Sequence, residues 1–451
     1  MIQTLRNAWK VEEIKKKILF TLLILLLYRL GNAIPVPYVN VAALQQYFTY
    51  MQNTVLGLLD VMSGGAFSNA TIFALSIQPY INASIIIQLL CIAIPALERM
   101  SKDEGEEGRK KIASITRYST VAIGLLQGFA YYMLIKNNNI LVAEAQSNVL
   151  AAIVIILTFT SGSALIMWLG EQITEHGIGN GISMILFASI ISRFPTSVIS
   201  TIRNCITGNL QWWVAVLMYL GAVAIIVLIV YVNDAERRIP VQYAKRVVGR
   251  KMYGGQSTHL PMKVNMSGVM PIIFAQSIAS LPATIAAFTG SGTDNWFMRA
   301  FNTNSLLYAL IYFLLIIFFA YFYSTIQFNP IEVANNLKKN GGAPLASQGR
   351  DPIEVANNLK KNGGYIPGFR PGKPTSEFLH RVLNKITLFG AIYLGIIATV
   401  PIIVSHFSSS AALTGLSLGG TSIIIVVGVA LETVRTLEAE LMMRNYKGFL
   451  S

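Results

Sequence analysis

The sequence is poor in charge, in cysteine and in histidine, and each shortage closes off a class of protein. Asp, Glu, Lys and Arg together make up 12% of 451 residues, where soluble domains carry about 25%. With 53% hydrophobic residues, a soluble chain of this length would expose too much apolar surface to stay dissolved. The same composition excludes disorder, collagen-like repeats and coiled coil. Two cysteines, Cys91 and Cys205, 114 positions apart, form neither a disulfide framework nor a zinc-finger spacing. Four histidines, His176, His259, His380 and His406, are scattered, with no HExxH and no clustered carboxylates. Gly368-Phe369-Arg370-Pro371-Gly372-Lys373-Pro374 has three residues between its glycines where a phosphate loop has four, and Pro374 stands where Ser or Thr is required. Gly177-Ile178-Gly179-Asn180-Gly181 follows no soluble strand, so it is no dinucleotide fingerprint. The expectation is a membrane protein that is not an enzyme and holds neither cofactor nor metal.

What the chain has in abundance is long apolar runs. Crossing a hydrocarbon layer of roughly 30 Å takes about 20 helical residues. Ten stretches qualify, near Ile18–Pro37, Thr71–Pro95, Tyr118–Leu134, Val149–Leu169, Ile182–Ser200, Trp212–Val232, Gly268–Phe288, Leu306–Ile326, Ile386–Val404 and Leu413–Leu431. Helices are expected, because lipid offers backbone groups no partners and the alternation of barrel strands is missing. The first run follows Lys15-Lys16-Lys17 as a signal peptide would, but it continues past Arg29 into Ile34-Pro35-Val36-Pro37 and is read as a span. Lys and Arg fall almost entirely on one side of the ten spans, 30 against 4, with Arg29 inside the first. By the positive-inside rule that side is cytoplasmic and holds both termini.

Two loops are unusual. Tyr38–Ala70, between spans one and two, has no Lys or Arg and contains Val55–Met62, apolar but too short to span, followed by Ser63-Gly64-Gly65. A re-entrant or interfacial helix is expected there, with a surface turn on the outer leaflet as the alternative. Between spans eight and nine, PIEVANNLKKNGG at 330–342 recurs letter for letter at 352–364. A solenoid needs at least three stacked units, so this pair reads as a duplication or an inserted copy extraneous to function.

Spans two and seven begin alike, Ile77-Gln78-Pro79-Tyr80-Ile81 and Val269-Met270-Pro271-Ile272-Ile273. Proline can kink a helix into a hinge, and an inverted repeat of five spans would put these two in equivalent positions; two unrelated kinks would look the same. Within spans, charge is limited to Arg29 and Arg193, both near span ends where a long side chain can snorkel. No span has a carboxylate in its middle, which weighs against an ion-coupled transporter.

Several long stretches, in order, resemble the SecY family, the central subunits of bacterial protein-translocation channels. They are Arg29-Leu30-Gly31 with Ile34-Pro35-Val36-Pro37, Ser63-Gly64-Gly65-Ala66, SIQPYINASIIIQLL (76–90), EGRKKIASITRY (107–118), MWLGEQITEHGIGNGIS (167–183), QSTHLPMKVNMSGVMP (256–271), NNLKKNGGYIPGFRPGK (357–373) and GGTSIII (419–425). The resemblance covers essentially the whole chain apart from the duplicated insert. It implies an all-α fold of ten transmembrane helices in two pseudo-symmetric inverted halves of five around a central pore, with a short re-entrant plug helix. The halves would be 18–200 and 201–431, between a cytoplasmic N-terminus, 1–17, and a cytoplasmic tail, 432–451. Cytoplasmic loops would occupy 233–267 and 327–385, the second enclosing the duplicated segment 330–364.

By position in those motifs the pore ring would be Ile77, Ile81, Ile182, Leu186, Ile273 and Ile425, with Leu186 departing from the isoleucine common there. A narrow apolar ring gates by dewetting, since ions find no ligands to replace their hydration shell. The plug, about 55–69, would include Val55, Leu58, Met62, Gly64 and Gly65, the glycines supplying hinge freedom. Asn82, Gln127, Gln276 and Ser277 would face a lateral gate between spans two and three and spans seven and eight. Arg246, Arg250, Lys251 and Arg370 would dock the SecA motor ATPase or the ribosome and its RNA. The resemblance further implies the small subunits SecE and SecG, signal peptides and nascent or precursor polypeptides as clients, anionic lipids as neighbours, and a bacterial plasma-membrane location. An inverted-repeat transporter of a small solute is the alternative.

Overall fold

A computed structural model of the chain describes residues 2–50, 55–102, 105–146, 148–208, 211–243, 246–248, 251–253, 257–265, 268–289, 305–327, 364–365, 367–368, 373–407 and 419–447. Its helices are α1 (Ile2–Lys10), α2 (Glu12–Gly31), α3 (Val41–Tyr50), α4 (Val55–Met62), α5 (Gln78–Ala93), α6 (Pro95–Lys102), α7 (Gly105–Asn137), α8 (Val149–His176), α9 (Gly181–Ile206), α10 (Trp212–Asp234), α11 (Met270–Thr289), α12 (Leu306–Gln327), α13 (Lys373–Phe407) and α14 (Gly419–Lys447). A helix stands at each of the ten expected spans. Among the described residues, α7, α8, α9, α10, α12 and α13 contain segments long and apolar enough to cross a membrane, and α5 and α11 contribute shorter apolar helices. Of the duplicated copies, 330–342 and 352–364, all but Gly364 lie outside the described residues.

Span two is shorter than the expected Thr71–Pro95, because helix begins only at Gln78. Residues 71–77 form turns, with Ser76 at φ 49°, a left-handed conformation that no helix interior accepts. Pro79 is then the second residue of α5, and Pro271 the second residue of α11. At a helix start the missing N–H has no intrahelical partner to lose. The expected kinks are therefore absent at these two positions: both prolines open their helices, and in the same place.

The irregular backbone leading into α5 is stitched to the end of α2. Pro35 bridges to Thr71, the Val36 amide donates to the Ala70 carbonyl (2.9 Å), and the Ile72 amide donates to the Ile34 carbonyl (3.0 Å). The strip then crosses α8 so closely that a Cβ on Gly162 would collide with the Ile72 carbonyl oxygen.

Contacts divide the described chain into two compact units, Met1–Ile226 with Gln276–Tyr312 and Ile397–Ser451, and Val227–Ala275 with Phe313–Ile396. In the first, α5, α7, α8 and α9 pack in sequence, with α2 against α8 and α14 against α9. One apolar cluster joins the outer segment to α7 and α8 through Val36, Leu44, Phe48, Phe67, Tyr131 and Phe159. Another joins Ala8 and Ile14 to Ile178 and Leu437, and Lys17 pairs with Glu440 at 2.7 Å. Residues near the two ends of the described chain therefore pack together. In the second unit the loop after α10 is strand rather than helix: β1 (Glu236–Tyr243) pairs antiparallel with β4 (Ser257–Lys263) and with β5 (Gly364–Tyr365), while β2 (Arg246–Val248) pairs with β3 (Lys251–Tyr253).

Gly162→Val should force α8 away from the Ile72 carbonyl. Overpacking of this kind costs about 1–3 kcal/mol, so thermal unfolding of the detergent-solubilised protein should start at lower temperature. An unchanged midpoint would contradict the close approach.

Candidate functional site

Residues 55–69 are core, not a surface turn. Leu56, Met62, Ala66 and Phe67 are each less than 5% exposed. The Tyr131 hydroxyl donates to the Phe67 carbonyl. The Phe67 ring stacks on Tyr131 with centroids 4.3 Å apart and meets Phe48 edge-on at 5.3 Å. Tyr28 of α2 reaches the same region, its hydroxyl 2.7 Å from Ser189 Oγ and 3.4 Å from the Ser63 carbonyl. Val55 and Leu58 lie on α4, with side chains outside the described set.

Gly64 and Gly65 have φ of 69° and 90°, which L side chains avoid. They are also points of close approach. A Cβ on Gly64 would sit 2.9 Å from the Ser189 carbonyl oxygen, and one on Gly65 would sit 3.0 Å from Arg193 Nη2. Where hinge freedom is expected of these glycines, the structure uses them to seat backbone directly on α9.

The centre of that seat is an ion pair. Arg193 Nη2 donates to Asp60 Oδ2, and Asp60 Oδ1 accepts from the Ser68 amide at 2.8 Å. Asp60 is buried, its side chain 9% exposed, while the Arg193 side chain is 35% exposed. Arg193 thus points to a carboxylate rather than snorkelling away from the protein. Sequence reasoning passed over Asp60, although it is the one charged residue in Val55–Ala70 and Arg193 the one charged residue in Gly181–Ile202. A lone carboxylate in an apolar segment and a lone cation in an apolar span are a signal that each has found the other.

Met62 lies at the end of α4 and is 2% exposed. Its thioether sulfur accepts from Gln78 Nε2 at 3.3 Å and from Gln276 Nε2 at 3.1 Å. Met62 therefore fastens the start of α5 and the first turns of α11. Two of the residues expected at the lateral gate, Asn82 and Gln127, line a small cleft together with Leu59, Phe67, Ser76, Gln78 and Ser280. Gln276 turns instead to Met62. Ser277 is 2% exposed, and neither its hydroxyl nor the Gln276 carbonyl oxygen has a partner among the described residues. Gln78, Ser76 and Ser280 went unnoticed in the sequence because a single polar residue in a span is ordinary.

Of the expected ring, Ile77, Ile81, Leu186 and Ile425 are between 1% and 4% exposed and all belong to the first unit. Ile182 is half-buried, its Cγ1 lying 3.6 Å from where a Cβ on Gly170 of α8 would be. Ile273 falls in the second unit, 3% exposed there. Among the expected docking residues, Arg246 and Lys251 lie on the paired strands β2 and β3, while Arg250 and Arg370 lie outside the described residues.

Residues 71–344 and 345–434 match the family model of SecY. The chain belongs to the SecY family. The break between the two matched stretches falls inside the duplicated segment of 330–364. The protein translocase subunit SecY of Streptomyces scabiei is 42% identical over 464 residues, covering the whole of both chains. That of Thermotoga maritima is 42% identical over 460 residues, covering all of this chain and 98% of its own. Among solved structures, that of a protein conducting channel matches with a TM-score of 0.67 at 17% identity, covering 94% of this chain and 92% of its own. Sec61 in the canine ribosome–channel complex from the endoplasmic reticulum matches with a TM-score of 0.61 at 16% identity, with the same coverage. At these identities the structures establish the SecY fold.

If the glycines seat the segment, Gly65→Val should unseat it through both strained backbone and collision with the Arg193 guanidinium. Limited proteolysis should then cut within 51–70 several times faster than in the parent protein. Equal cleavage rates would show that the close approach is dispensable.

Proposed function

We propose that this chain is the channel subunit of a protein translocase, passing unfolded secretory polypeptides across the membrane and releasing signal and transmembrane segments sideways into lipid. The observation that carries this reading is the outer segment, 55–69, folded inward and fastened to α5, α9 and α11. A structural element that fills the interior of a SecY-family fold, yet is held by a thioether and by glycine contacts rather than by a continuous helix, is suited to leave. The small-solute transporter finds no support among the relatives.

In this reading Ile77, Ile81, Ile182, Leu186, Ile273 and Ile425 form the apolar constriction. Ile77, Ile81, Leu186 and Ile425 are each buried within the first unit, as a shut constriction requires, and branched side chains can part around a chain of varying width. Val55, Leu58, Met62, Gly64 and Gly65 belong to the plug. Asn82, Gln127, Gln276 and Ser277 belong to the lateral gate. Polar contacts between helices in membranes average about 0.6 kcal/mol, weak enough for an apolar signal helix to part them. The halves divide at 200/201.

Energy comes from partners. Arg246, Arg250, Lys251 and Arg370 offer cations to the SecA motor or to ribosomal RNA, and SecE and SecG complete the channel. The location is the bacterial plasma membrane. Both termini are cytoplasmic, a reading supported by the packing of Ile14 with Leu437 and by the side on which Lys and Arg collect. Anionic lipid meets the same basic surface.

Protease protection of a signal-bearing precursor tests the reading, in proteoliposomes holding this chain with the small subunits, the motor and ATP. Protection should require ATP and vanish when the signal is deleted. Deleting one copy of the duplicated segment should leave protection in place. Ile81→Asn should wet the constriction and raise resting ion permeability several-fold while transport continues. Uptake of small solutes without protection of any precursor would replace the channel by a transporter.

A further inference from the structure

A polar group taken out of water and left without a partner is costly to keep, and lipid offers it none. Ser76 carries such a group. The residue is 2% exposed, and its hydroxyl has no hydrogen-bond partner among the described residues. The turn around it is already satisfied through the backbone: the Ser76 amide donates to the Phe73 carbonyl at 2.9 Å, and the Gln78 amide to the Leu75 carbonyl at 3.3 Å. At a φ of 49° glycine would sit with less strain. The hydroxyl is therefore not explained by the turn that carries it.

Ser76 lies in the wall of a cleft of about 40 Å³, together with Gln78 and Asn82 of α5, Gln127 of α7 and Ser280 of α11. All of these belong to the first unit. Gln78 gives an N–H to the Met62 sulfur, and Ser280 gives its hydrogen to the Ser277 carbonyl at 2.9 Å. The half-buried amides of Asn82 and Gln127 make no hydrogen bond among the described residues. Polar side chains from three helices thus line one space without bonding across it. A water needs about 10–15 Å³ of room and two to four polar partners. This cleft has room for more than one water, and Ser76, Asn82 and Gln127 each bring a donor and an acceptor. An acyl chain would suit the apolar part of the wall, Leu59, Leu75 and Leu281, but would leave all three polar groups unsatisfied.

We propose that this cleft is a hydration site, holding ordered water that bridges Ser76 and Asn82 to Gln127 of α7, beside Ser280 of α11. A water-mediated hydrogen bond is enthalpically nearly as good as a direct one. Unlike a direct bond, it fixes no register between the helices it joins, because a water can change partners when they shift. The site satisfies amides inside the protein at membrane depth while leaving α5, α7 and α11 unlocked from one another along this wall. The proposal goes beyond the translocase reading and does not depend on it, since it concerns what the folded chain binds before any polypeptide arrives.

Pulsed hydroxyl-radical footprinting of the full chain in lipid nanodiscs tests it, because radicals born from a bound water oxidise the side chains around that water. Phe67 and Phe73 are each 3% exposed. Phe67 is part of the cleft wall, whereas Phe73 stacks on Tyr28. Phe67 should therefore be hydroxylated several times faster than Phe73. Asn82→Leu and Gln127→Leu each remove an amide and put an apolar group in its place, and each should bring Phe67 down to the rate of Phe73. Protection of Phe73 and Phe159 at the parent's level shows that a variant is folded, and two separate variants keep the test decisive if one of them is not. Met62 stands on the same segment as Phe67, is 2% exposed and lies outside the cleft wall; its readily oxidised thioether should stay unmodified. Equal rates for Phe67 and Phe73 in the parent would mean a dry or acyl-filled cleft. Oxidation of Met62 in step with Phe67 would mean that the segment leaves its seat and meets bulk water. Rates that neither substitution moves would mean that the radicals come from elsewhere. Each of these three results overturns the proposal.

Discussion

Lipid supplies no hydrogen-bond partners, so backbone that is not helical can lie at membrane depth only where the protein itself provides them. That constraint organises the first unit. The chain leaves α2 at Gly31, and the helix of span two begins only at Gln78. In between it turns, pairs Val36 with Ala70 and Ile72 with Ile34, and sets the Ile72 carbonyl against Gly162 of α8. The aromatic cluster of Phe48, Phe67 and Tyr131 closes over this strip. Without such cover, a segment able to fill the interior would be too costly to form.

The plug inherits the same logic. Its one charge is met by the one charge in the neighbouring stretch of α9, and its tightest turn is made by glycines that let backbone meet backbone. Met62 adds a soft contact to two glutamines from different helices. A sulfur is a weak acceptor, so these bonds position the plug without anchoring it. Among the described residues, the ion pair of Asp60 with Arg193 is the charged contact of this segment.

The fold was largely legible in the sequence because hydropathy and length are what lipid selects. All ten apolar runs carry helices. The misreadings share a cause. Pro79 and Pro271 could sit inside a helix or at its start, and hydropathy does not distinguish the two; only the φ of Ser76 and the turns before it decide. The strands β1 to β4 lie in a loop where apolar periodicity is faint. The motifs grouped Asn82 with Gln127, and both line one cleft. The Asp60–Arg193 pair was missed, because its members stand 133 residues apart and a lone charge does not name its partner.

Helix α10 is a span with little to fit against. Its most apolar window is only 11% buried, the lowest of the membrane-length helices described, and Leu217, Leu220, Val227 and Tyr231 all point away from this chain. For such a helix the surrounding solvent imposes hydrophobicity but no shape. Substitutions there answer to average oiliness and not to volume, so Leu, Ile, Val and Phe should interchange almost freely over evolutionary time, while Gly162 of α8, under the Ile72 carbonyl, has no such latitude. Neighbouring segments of one polypeptide would then accumulate change at very different rates, for reasons set by packing and not by distance from the pore.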